Sequence, residues 1–370
     1  MTICTIFSQK TEGRRRFGNK NKQKFILHCT QLALSLQYLC TEFIIKMIDR
    51  QQIIEPVASE FEQFKEDFSN VLHSEIPILQ SAIKQVLSSN GKHIRPILLL
   101  LTAKACGEPS DSTRDAAVTI EILHTTTLIH DDVVDETKQR RGIPSLNAIY
   151  DNRIAVLTGD YILATTVLRA VETGNITIIK RIAEVCHELS EGELMQLDNA
   201  ERQSLNEEEY LNMINKKTAT LISACSEIGA ISVNASPETI EKCRLFGKYL
   251  GYCFQLKDDI FDYFTNTNIG KPTGNDIREG KITLPLLYSL KVAPQNETDR
   301  YLEVIKQQDY TPENIAALLS FAKQYGGIEY AENKILEYKL KAVEIINSFP
   351  PSDARNSLLL MADYFTERTK

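Results

Sequence analysis

The part of this sequence most able to do chemistry is a pair of short acidic motifs. DDVVD at residues 131–135 and DDIFD at residues 258–262 share the pattern DDxxD. On a helix, the first and last aspartates of such a motif share one face, about 6 Å apart along the axis. Carboxylates this close repel each other unless a cation lies between them, and hard oxygen ligands suit Mg²⁺. The sequence therefore predicts magnesium ligands at Asp131, Asp135, Asp258 and Asp262.

Two copies of the motif carry more weight than one. A given DDxxD arises by chance in roughly a tenth of chains of this length, and a pair arises far more rarely. Apolar residues precede both motifs, at Leu128-Ile129 and at Phe254 and Leu256, which favours acids at the mouth of a pocket over a solvated acidic helix face. A calcium-binding EF-hand is excluded, because its D-x-D-x-D-G loop pattern is missing.

Magnesium held in this way predicts a phosphorylated ligand, because Mg²⁺ completes its shell with water and phosphate oxygens. Basic residues accompany both motifs. Lys92 and Arg95, which we expect on one side of a helical turn, come first, and Arg140-Arg141 follows the first motif. Lys216-Lys217 and Gly270-Lys271 flank the second motif. No Gly-Lys stretch fits GxxxxGK(S/T), so a P-loop nucleotide site is excluded.

The wider pattern predicts an all-α protein whose helices position these groups. Long stretches lack glycine and proline, and sustained period-two alternation is missing. Helices should begin at Ser236-Pro237-Glu238 and Thr311-Pro312-Glu313, each with an N-cap, a proline at the first helical position and an acid in the first turn. The second of these should end at Gly326-Gly327. We expect one domain from about residue 47 to residue 370.

Composition excludes several classes of protein. Of 370 residues, 43% are hydrophobic and 25% charged, which is typical of a soluble globular protein and not of collagen, mucin, a disulfide knot or a disordered chain. A net charge of −7 provides no overall basic field for nucleic acid. The 8 cysteines include no CxxC pair, which predicts reduced thiols in a cytoplasmic protein without a zinc or redox motif.

The charge divides unevenly along the chain. Residues 1–46 carry a net charge of +6, which leaves −13 for the remainder. A basic segment fits an organellar transit peptide, but few serines and the acidic, helix-prone stretch beginning at Met47 favour an upstream extension, poorly ordered or absent from the working protein. Its apolar part, residues 25–48, is interrupted by His28, Glu42 and Lys46, so no membrane span is expected.

Together the motifs resemble those of trans-polyprenyl diphosphate synthases of the isoprenoid synthase superfamily. They run in family order from about residue 90 to 285, and similar helical patterning covers about 50 to 370. This implies a bundle of long helices around a deep central cavity, usually in a homodimer. Residues 1–46 have no counterpart. The matching elements are GKxxRP from Gly91, His124, RRGxP from Arg140, Gly159-Asp160, EGExxQ from Glu191, KTA from Lys217, FQxxDD from Phe254, GKP from Gly270 and GKxTLP from Gly280.

The resemblance also implies a mechanism. Three Mg²⁺ ions per active site, held between the two acidic motifs, would neutralise the diphosphate that leaves an allylic substrate. Isopentenyl diphosphate would then attack the carbocation, and the released diphosphate would take the proton. No Ser, Cys or His nucleophile is needed, and His130 receives no catalytic role.

Individual positions take their expected roles from the same resemblance. The allylic diphosphate would be held by Arg140, Lys217, Lys271 and Lys281. Isopentenyl diphosphate would be held by Lys92, Arg95, His124 and Arg141. The carbocation would be stabilised by Thr218, Gln255 and the ring of Phe254. The expected catalytic residues are Asp131, Asp135, Asp258, Lys217, Thr218 and Gln255.

Product length is expected to depend on the helix that carries the first motif. One turn before Asp131, about 5.4 Å along the helix, stand Thr126 and Thr127. Relatives with short products block this level with Phe or Tyr, so the threonine pair predicts a long all-trans product, in the heptaprenyl to solanesyl range. The floor would then lie deeper, near Ile122, Leu123 or the helix from Tyr161 to Val167.

Other functions stay open at this point. A short-chain farnesyl or geranylgeranyl diphosphate synthase would differ in product length alone. A class I terpene cyclase would replace the second DDxxD and would not need Lys92 and Arg95. A non-catalytic subunit of a heteromeric synthase would lose the aspartates. Asn147 stands where a histidine is common in the family, and the primer and the downstream pathway are left open.

Overall fold

The structure is a computed structural model that describes residues 50–88, 91–140, 142–264 and 273–367. The basic segment 1–46 and the predicted ligands Arg141 and Lys271 lie outside the described residues. Within the described residues, regular structure is almost entirely helical. The strands there are β1 (Gln139–Arg140) and β2 (Ile143–Pro144), which pair as an antiparallel hairpin. The all-α prediction is confirmed.

The helices are numbered in chain order. They are α1 (Arg50–Ile54), α2 (Ala58–Asn70), α3 (Pro77–Ser88), α4 (Ile94–Cys106), α5 (Asp111–Val134), α6 (Leu146–Ile149), α7 (Asn152–Glu172), α8 (Ile176–Arg202), α9 (Glu207–Ile214), α10 (Thr220–Ser232), α11 (Pro237–Phe261), α12 (Asn275–Arg278), α13 (Leu284–Val292), α14 (Gln295–Lys306), α15 (Pro312–Gln324), α16 (Gly327–Asn347) and α17 (Asp353–Glu367). A 3₁₀ turn, Glu55–Val57, follows α1, and a π-helical turn, Asn215–Ala219, joins α9 to α10.

The expected helix starts are formed by the expected side chains. The Ser236 hydroxyl accepts a hydrogen bond from the Thr239 amide at 3.2 Å, and Thr311 does the same for Asn314 at 3.3 Å. Each satisfies an amide that has no partner inside the helix. The helix that begins after Thr311 ends at Gln324, next to the predicted stop. Local sequence therefore sets these boundaries.

Packing places the longest helices around the middle of the molecule. α5 lies against α7, α10 lies against both α4 and α11, and α11 lies against α16. The stretch Ile97–Leu101 of α4 has no exposed surface. A helix that is apolar on all sides belongs in the interior. The motif-bearing helices α5 and α11 are thus packed among neighbours that fix their orientation.

α7 is, among the described helices, the one long and apolar enough to cross a membrane by length and composition. Its mean hydropathy is 1.5, and 33% of that stretch is buried. A single helix of this kind is weak evidence for a span, because core helices of soluble proteins have the same properties.

Candidate active site

A central cavity lies beside the C-terminal ends of α5 and α11 and the π-helical turn. Its polar end has a volume of about 400 Å³ and its deeper end about 620 Å³. The two ends are continuous, because both are lined by Arg140, Lys217, Thr218, Gln255 and Asp258. Residues that lie far apart in the sequence therefore meet at one site, as the motifs predict.

The first acidic motif forms one wall of this cavity. Asp131 lines the deep end, and Asp135, which caps α5, lines the polar end. Burial and, next, the carboxylate of Glu193 raise the pKa of Asp131 to about 6, while the charge of Lys217 opposes the shift. A carboxylate that is costly to ionise beside other carboxylates is typical of a site that a cation completes.

The middle residue of this motif, Asp132, is buried and holds the adjacent hairpin. Its Oδ1 accepts a hydrogen bond from Arg140 Nε at 2.7 Å and lies 2.6 Å from Nη2 of the same guanidinium group. The Asn147 amide nitrogen donates to the Asp132 carbonyl at 2.9 Å. Arg140 therefore reaches the cavity from a position fixed by Asp132. Asn147 has a structural role at the position where the sequence departs from the family pattern.

The second acidic motif forms another wall through Asp258, which lines both ends of the cavity. The next residue, Asp259, is 4% exposed and accepts hydrogen bonds from Gln255 Nε2 at 2.8 Å and from the Tyr210 hydroxyl. Burial raises the pKa of Asp259 well above its ordinary value, while the two hydrogen bonds oppose that shift. Asp259 thus orients Gln255 toward the cavity.

Asp262, predicted as a metal ligand, does not line the described part of the cavity. Its two carboxylate oxygens accept hydrogen bonds from the amides of Asn275 at 3.0 Å and Asp276 at 3.1 Å, so it caps α12. Among the described residues that line the polar end, Asp276 is present and Asp262 is absent. Burial raises the pKa of Asp276, and the charges of Asp259 and Asp262 raise it further. Asp276 was not among the predicted site residues. The sequence feature that could have indicated it is the position of this acid shortly before Gly280-Lys281.

Lys217 and Thr218 reach the cavity because they lie on the π-helical turn. α8 and α11 pack unusually close to it: a Cβ at Gly192 would lie 2.4 Å from the Lys217 nitrogen, and one at Gly251 would lie 2.5 Å from Ala219 Cα. π-helical turns often occur at functional sites. This widened turn could not be predicted from helical periodicity.

Both side chains of the turn are held by polar partners. Lys217 Nζ lies 2.6 Å from Glu193 Oε2, and the Thr218 hydroxyl donates to Gln255 Oε1 at 2.6 Å. Thr218 therefore directs oxygen lone pairs, and not its proton, to the open side. Glu193 was not assigned a role from the sequence, although it belongs to the EGExxQ element.

The other basic residues divide into those at the cavity and one outside it. Lys281 lines the polar end, 3.8 Å from Asp135 Oδ1 and 2.6 Å from Glu279 Oε2. Arg95 and His124 line the deep end. Lys92 is exposed, with its Nζ 5.8 Å from the centre of the Tyr364 ring, and is not part of the cavity lining that the structure describes.

The expectation that Lys92 and Arg95 share one helical turn is wrong. α4 begins at Ile94, because His93 adopts a left-handed conformation with φ 45°. His93 Nδ1 lies 2.8 Å from Glu121 Oε1, and the His93 ring contacts the ring of Phe68. Tertiary contacts of His93 thus interrupt the helix between the two basic residues.

The deep end of the cavity has an apolar wall beside its charged groups, which include Asp131 and Lys217. Thr126 and Thr127 line it, and their hydroxyls donate to the carbonyls of Ile122 at 3.1 Å and His124 at 2.8 Å. Further lining is provided by Leu123, Leu163, Cys186, Leu189, Leu194 and Leu221. The expected deep floor near Leu123 and the helix carrying Leu163 agrees with this. Ile122 instead packs with a separate apolar cluster that includes Ile83.

The donor set of the cavity fits Mg²⁺. Within the described residues, no three acidic, histidine or cysteine side chains converge to enclose a metal ion. Asp131, Asp135 and Asp258 are hard oxygen donors around an open, polar space. Mg²⁺ is commonly bound through one or two carboxylates while water and phosphate oxygens complete its shell. The site therefore suits a metal ion that arrives with, or is completed by, a phosphorylated ligand.

Comparisons with known proteins agree with this geometry. Residues 76–321 match the family described as polyprenyl synthetase. The chain is 34% identical over 314 residues to an all-trans-nonaprenyl-diphosphate synthase (geranyl-diphosphate specific) of Rhodobacter capsulatus, covering 84% of this chain and 95% of that protein.

Solved structures resemble it as well. A geranylgeranyl pyrophosphate synthase from Bacteroides thetaiotaomicron has a TM-score of 0.75 at 41% identity, covering 86% of this chain and 99% of that one. A polyprenyl synthase from Caulobacter crescentus CB15, in complex with calcium and isoprenyl diphosphate, has a TM-score of 0.81 at 29% identity. The match covers 87% of this chain and 98% of that one.

Proposed function

The chain belongs to the polyprenyl synthetase family, and on that premise we propose that it is a Mg²⁺-dependent synthase that adds isopentenyl diphosphate units to an allylic diphosphate. One observation carries this proposal. The carboxylates of both acidic motifs and the cations of Lys217, Arg140 and Lys281 surround a polar space that adjoins a larger one with an apolar wall. A diphosphate head and a growing hydrocarbon chain need these two environments next to each other.

The first step is loss of the allylic diphosphate. Bound Mg²⁺ would act as a Lewis acid that neutralises the charge developing on this leaving group. Asp131, Asp135 and Asp258 would hold the metal ions. Lys217 pairs with Glu193, so the arriving diphosphate has to compete for its ammonium group. Arg140 and Lys281 would contact the remaining phosphate oxygens, to which the guanidinium fork is well suited.

The second step joins the two substrates. Whereas Lys92 lies outside the described lining, Arg95 and His124 line the cavity and would hold isopentenyl diphosphate by its charge. Its double bond attacks the allylic carbocation, and the released diphosphate accepts the proton. The Thr218 and Gln255 oxygens would stabilise the cation, and the Phe254 ring, 5.7 Å from that of Phe365, offers an aromatic face.

A long product is part of the proposal. Relatives of this chain include enzymes named for geranylgeranyl and for nonaprenyl products, so the cavity has to carry the argument. Its deep end has a volume of about 620 Å³ and is lined by the small side chains of Thr126 and Thr127 and by Leu163. We propose an all-trans product in the heptaprenyl to solanesyl range.

The activity is tested with purified protein, isopentenyl diphosphate and farnesyl diphosphate. We expect polyprenyl diphosphates whose formation stops when EDTA removes Mg²⁺ and returns when Mg²⁺ is added in excess, read by chromatography after dephosphorylation. Isopentenyl diphosphate alone should give no product, because it has no ionisable allylic bond. Hydrocarbon formed from the allylic substrate alone would identify a terpene cyclase. Absence of Mg²⁺-dependent elongation would refute the proposal and point to a non-catalytic subunit.

We also propose that two copies of the chain associate through α7 and α8. Apolar side chains are exposed along both helices. On α7, Leu157 and Leu168 are 63% and 65% exposed, and their spacing of three helical turns puts them on one face. The others are Val156, Val167, Val171, Ile176 and Leu197. Contiguous exposed apolar surface of this kind usually marks an interface, and a homodimer would cover it symmetrically.

Replacing one residue of this face should separate the copies. We expect wild-type protein to have about twice the chain mass of 41.9 kDa, and Leu168→Lys to approach the mass of one chain, both by light scattering. Leu340→Lys on α16, 59% exposed in wild type and outside this face, should stay dimeric. A monomeric wild-type protein, or one that sediments with lipid vesicles, would contradict the homodimer.

A further inference from the structure

The π-helical turn has a second set of contacts on the side away from the central cavity. Arg181 and Glu188 on α8 meet Thr220 and Glu227 on α10, and these four residues are called the clamp. Arg181 donates to Glu227 Oε2 at 2.7 Å, to Glu188 Oε1 at 2.9 Å and to the Thr220 hydroxyl at 3.3 Å. The Thr220 hydroxyl in turn donates to Glu188 Oε2. Arg181, Glu188 and Thr220 therefore form a closed ring of hydrogen bonds, and Glu227 is bonded to this ring through Arg181.

The clamp is largely withdrawn from solvent and separate from the chemistry. The side chains of Arg181 and Glu227 are 11% and 14% exposed. All four residues line a polar cavity of about 280 Å³, and none of them lines the central cavity. Burial raises the pKa of Glu227, and the charge of Arg181 opposes that shift. Buried charges arranged in this way fix geometry, because each loses its compensation if a partner moves.

The clamp is attached directly to the turn that carries two proposed catalytic groups. Thr220 follows the last residue of the turn, and Lys216 within it pairs with Glu191 of α8. Lys217 and Thr218 thus lie between two anchored positions. The absence of side chains at Gly192 and Gly251 lets the flanking helices come close but supplies no directional bond. The clamp supplies directional hydrogen bonds between α10 and α8, through Thr220 and Glu227 of α10.

We propose that Arg181 and Glu188 are positioning residues for prenyl transfer, which fix the π-helical turn from outside the cavity and so set the height of Lys217 and Thr218 over the acidic motifs. The proposal rests on the proposed function. Displacement of a reacting group by about 1 Å can lower a rate by on the order of 10²-fold. The loss appears in kcat when the displaced groups act in the transition state.

The test uses full-length Glu188→Gln and Thr220→Val with farnesyl and isopentenyl diphosphates. Both variants nearly keep side-chain size. Glu188→Gln removes one of the two carboxylate oxygens of Glu188, and Thr220→Val removes both hydrogen bonds of the Thr220 hydroxyl. We expect kcat to fall about 10- to 100-fold, while KM for isopentenyl diphosphate stays within about two-fold of wild type because Arg95 and His124 are untouched. Thr220→Ser restores the hydroxyl and should restore kcat. Amide hydrogen exchange in residues 215–219 should be faster in Glu188→Gln than in wild type.

A matched control lies on the same helix. Glu184 is 3.6 Å from Arg181 but is not hydrogen-bonded to Thr220, and Glu184→Gln should have wild-type kcat. If Glu188→Gln does not fold, the kcat values of Thr220→Val and Thr220→Ser test the proposal without it. An active wild-type enzyme with both variants within two-fold of its kcat overturns the clamp's role, and so does a loss that Thr220→Ser does not restore. An inactive wild-type enzyme would instead overturn the proposed function.

Discussion

Asp258→Asn is expected to lower kcat by about 10³-fold, whereas Asp262→Asn, four residues later in the same motif, should keep most of the activity. Asp258 lines both ends of the cavity, and Asp262 does not line the part of it that the structure describes. Loss of one charged group that stabilises a developing charge costs on the order of 10²- to 10³-fold, and a metal ligand belongs at the upper end. Steady-state kinetics at saturating Mg²⁺ measure the difference.

The Asp262 variant should instead affect stability. Its two oxygens accept the amides of Asn275 and Asp276, and an asparagine retains a single acceptor oxygen for both. We expect a loss of about 1 kcal/mol in the free energy of unfolding, as for other helix caps, measured by denaturant titration. Equal losses of kcat in the two variants would show that Asp262 leaves α12 and serves the metal once substrate is bound.

Thr126→Phe is expected to shorten the product by several isoprene units, toward the farnesyl and geranylgeranyl range. Thr126 lies five residues before Asp131, about 7.5 Å along the helix, and lines the deep end of the cavity. Its hydroxyl is bonded to its own helix, so a small group faces the passage. A phenyl ring at this height would separate the reaction centre from Leu163 and Leu221. Chromatography of the dephosphorylated products measures the shift in chain length.

Thr126→Val provides the control for this experiment. It removes the hydroxyl and its bond to the Ile122 carbonyl but leaves the width of the passage nearly unchanged. Its product distribution should match that of wild type. If Thr126→Phe also makes the wild-type product, the growing chain does not pass this residue, and the proposed path along α5 is wrong.

Local sequence accounts for much of the fold. Proline and an acid after Ser236 and Thr311 start two helices where they are expected, because capping satisfies amides that only neighbouring residues can reach. The small threonines before the first motif line the cavity as predicted, and Thr127, four residues before Asp131, shares its helical face. The same periodicity correctly selects Asp131 and Asp135 as cavity residues.

Periodicity is insufficient where a residue's partner comes from another element. Asp262 has the same spacing from Asp258 as Asp135 has from Asp131, yet it bonds to α12, which lies beyond the end of its own helix. Ile122 and Leu123 are adjacent, and packing against the cluster around Ile83 turns the first away from the cavity while the second lines it. α4 begins only after His93, whose left-handed backbone accompanies ring contacts with α2 and α5.

By itself, the sequence determined which groups are available to this protein: two sets of carboxylates, several cations and a helical framework to carry them. Tertiary structure alone decided which of these groups meet. Asp276 joins the cavity, Glu193 pairs with Lys217, and a π-helical turn held between α8 and α11 presents Lys217 and Thr218. The physical reason is that the direction of a side chain depends on local backbone geometry, whereas its surroundings depend on close packing against residues remote in the chain.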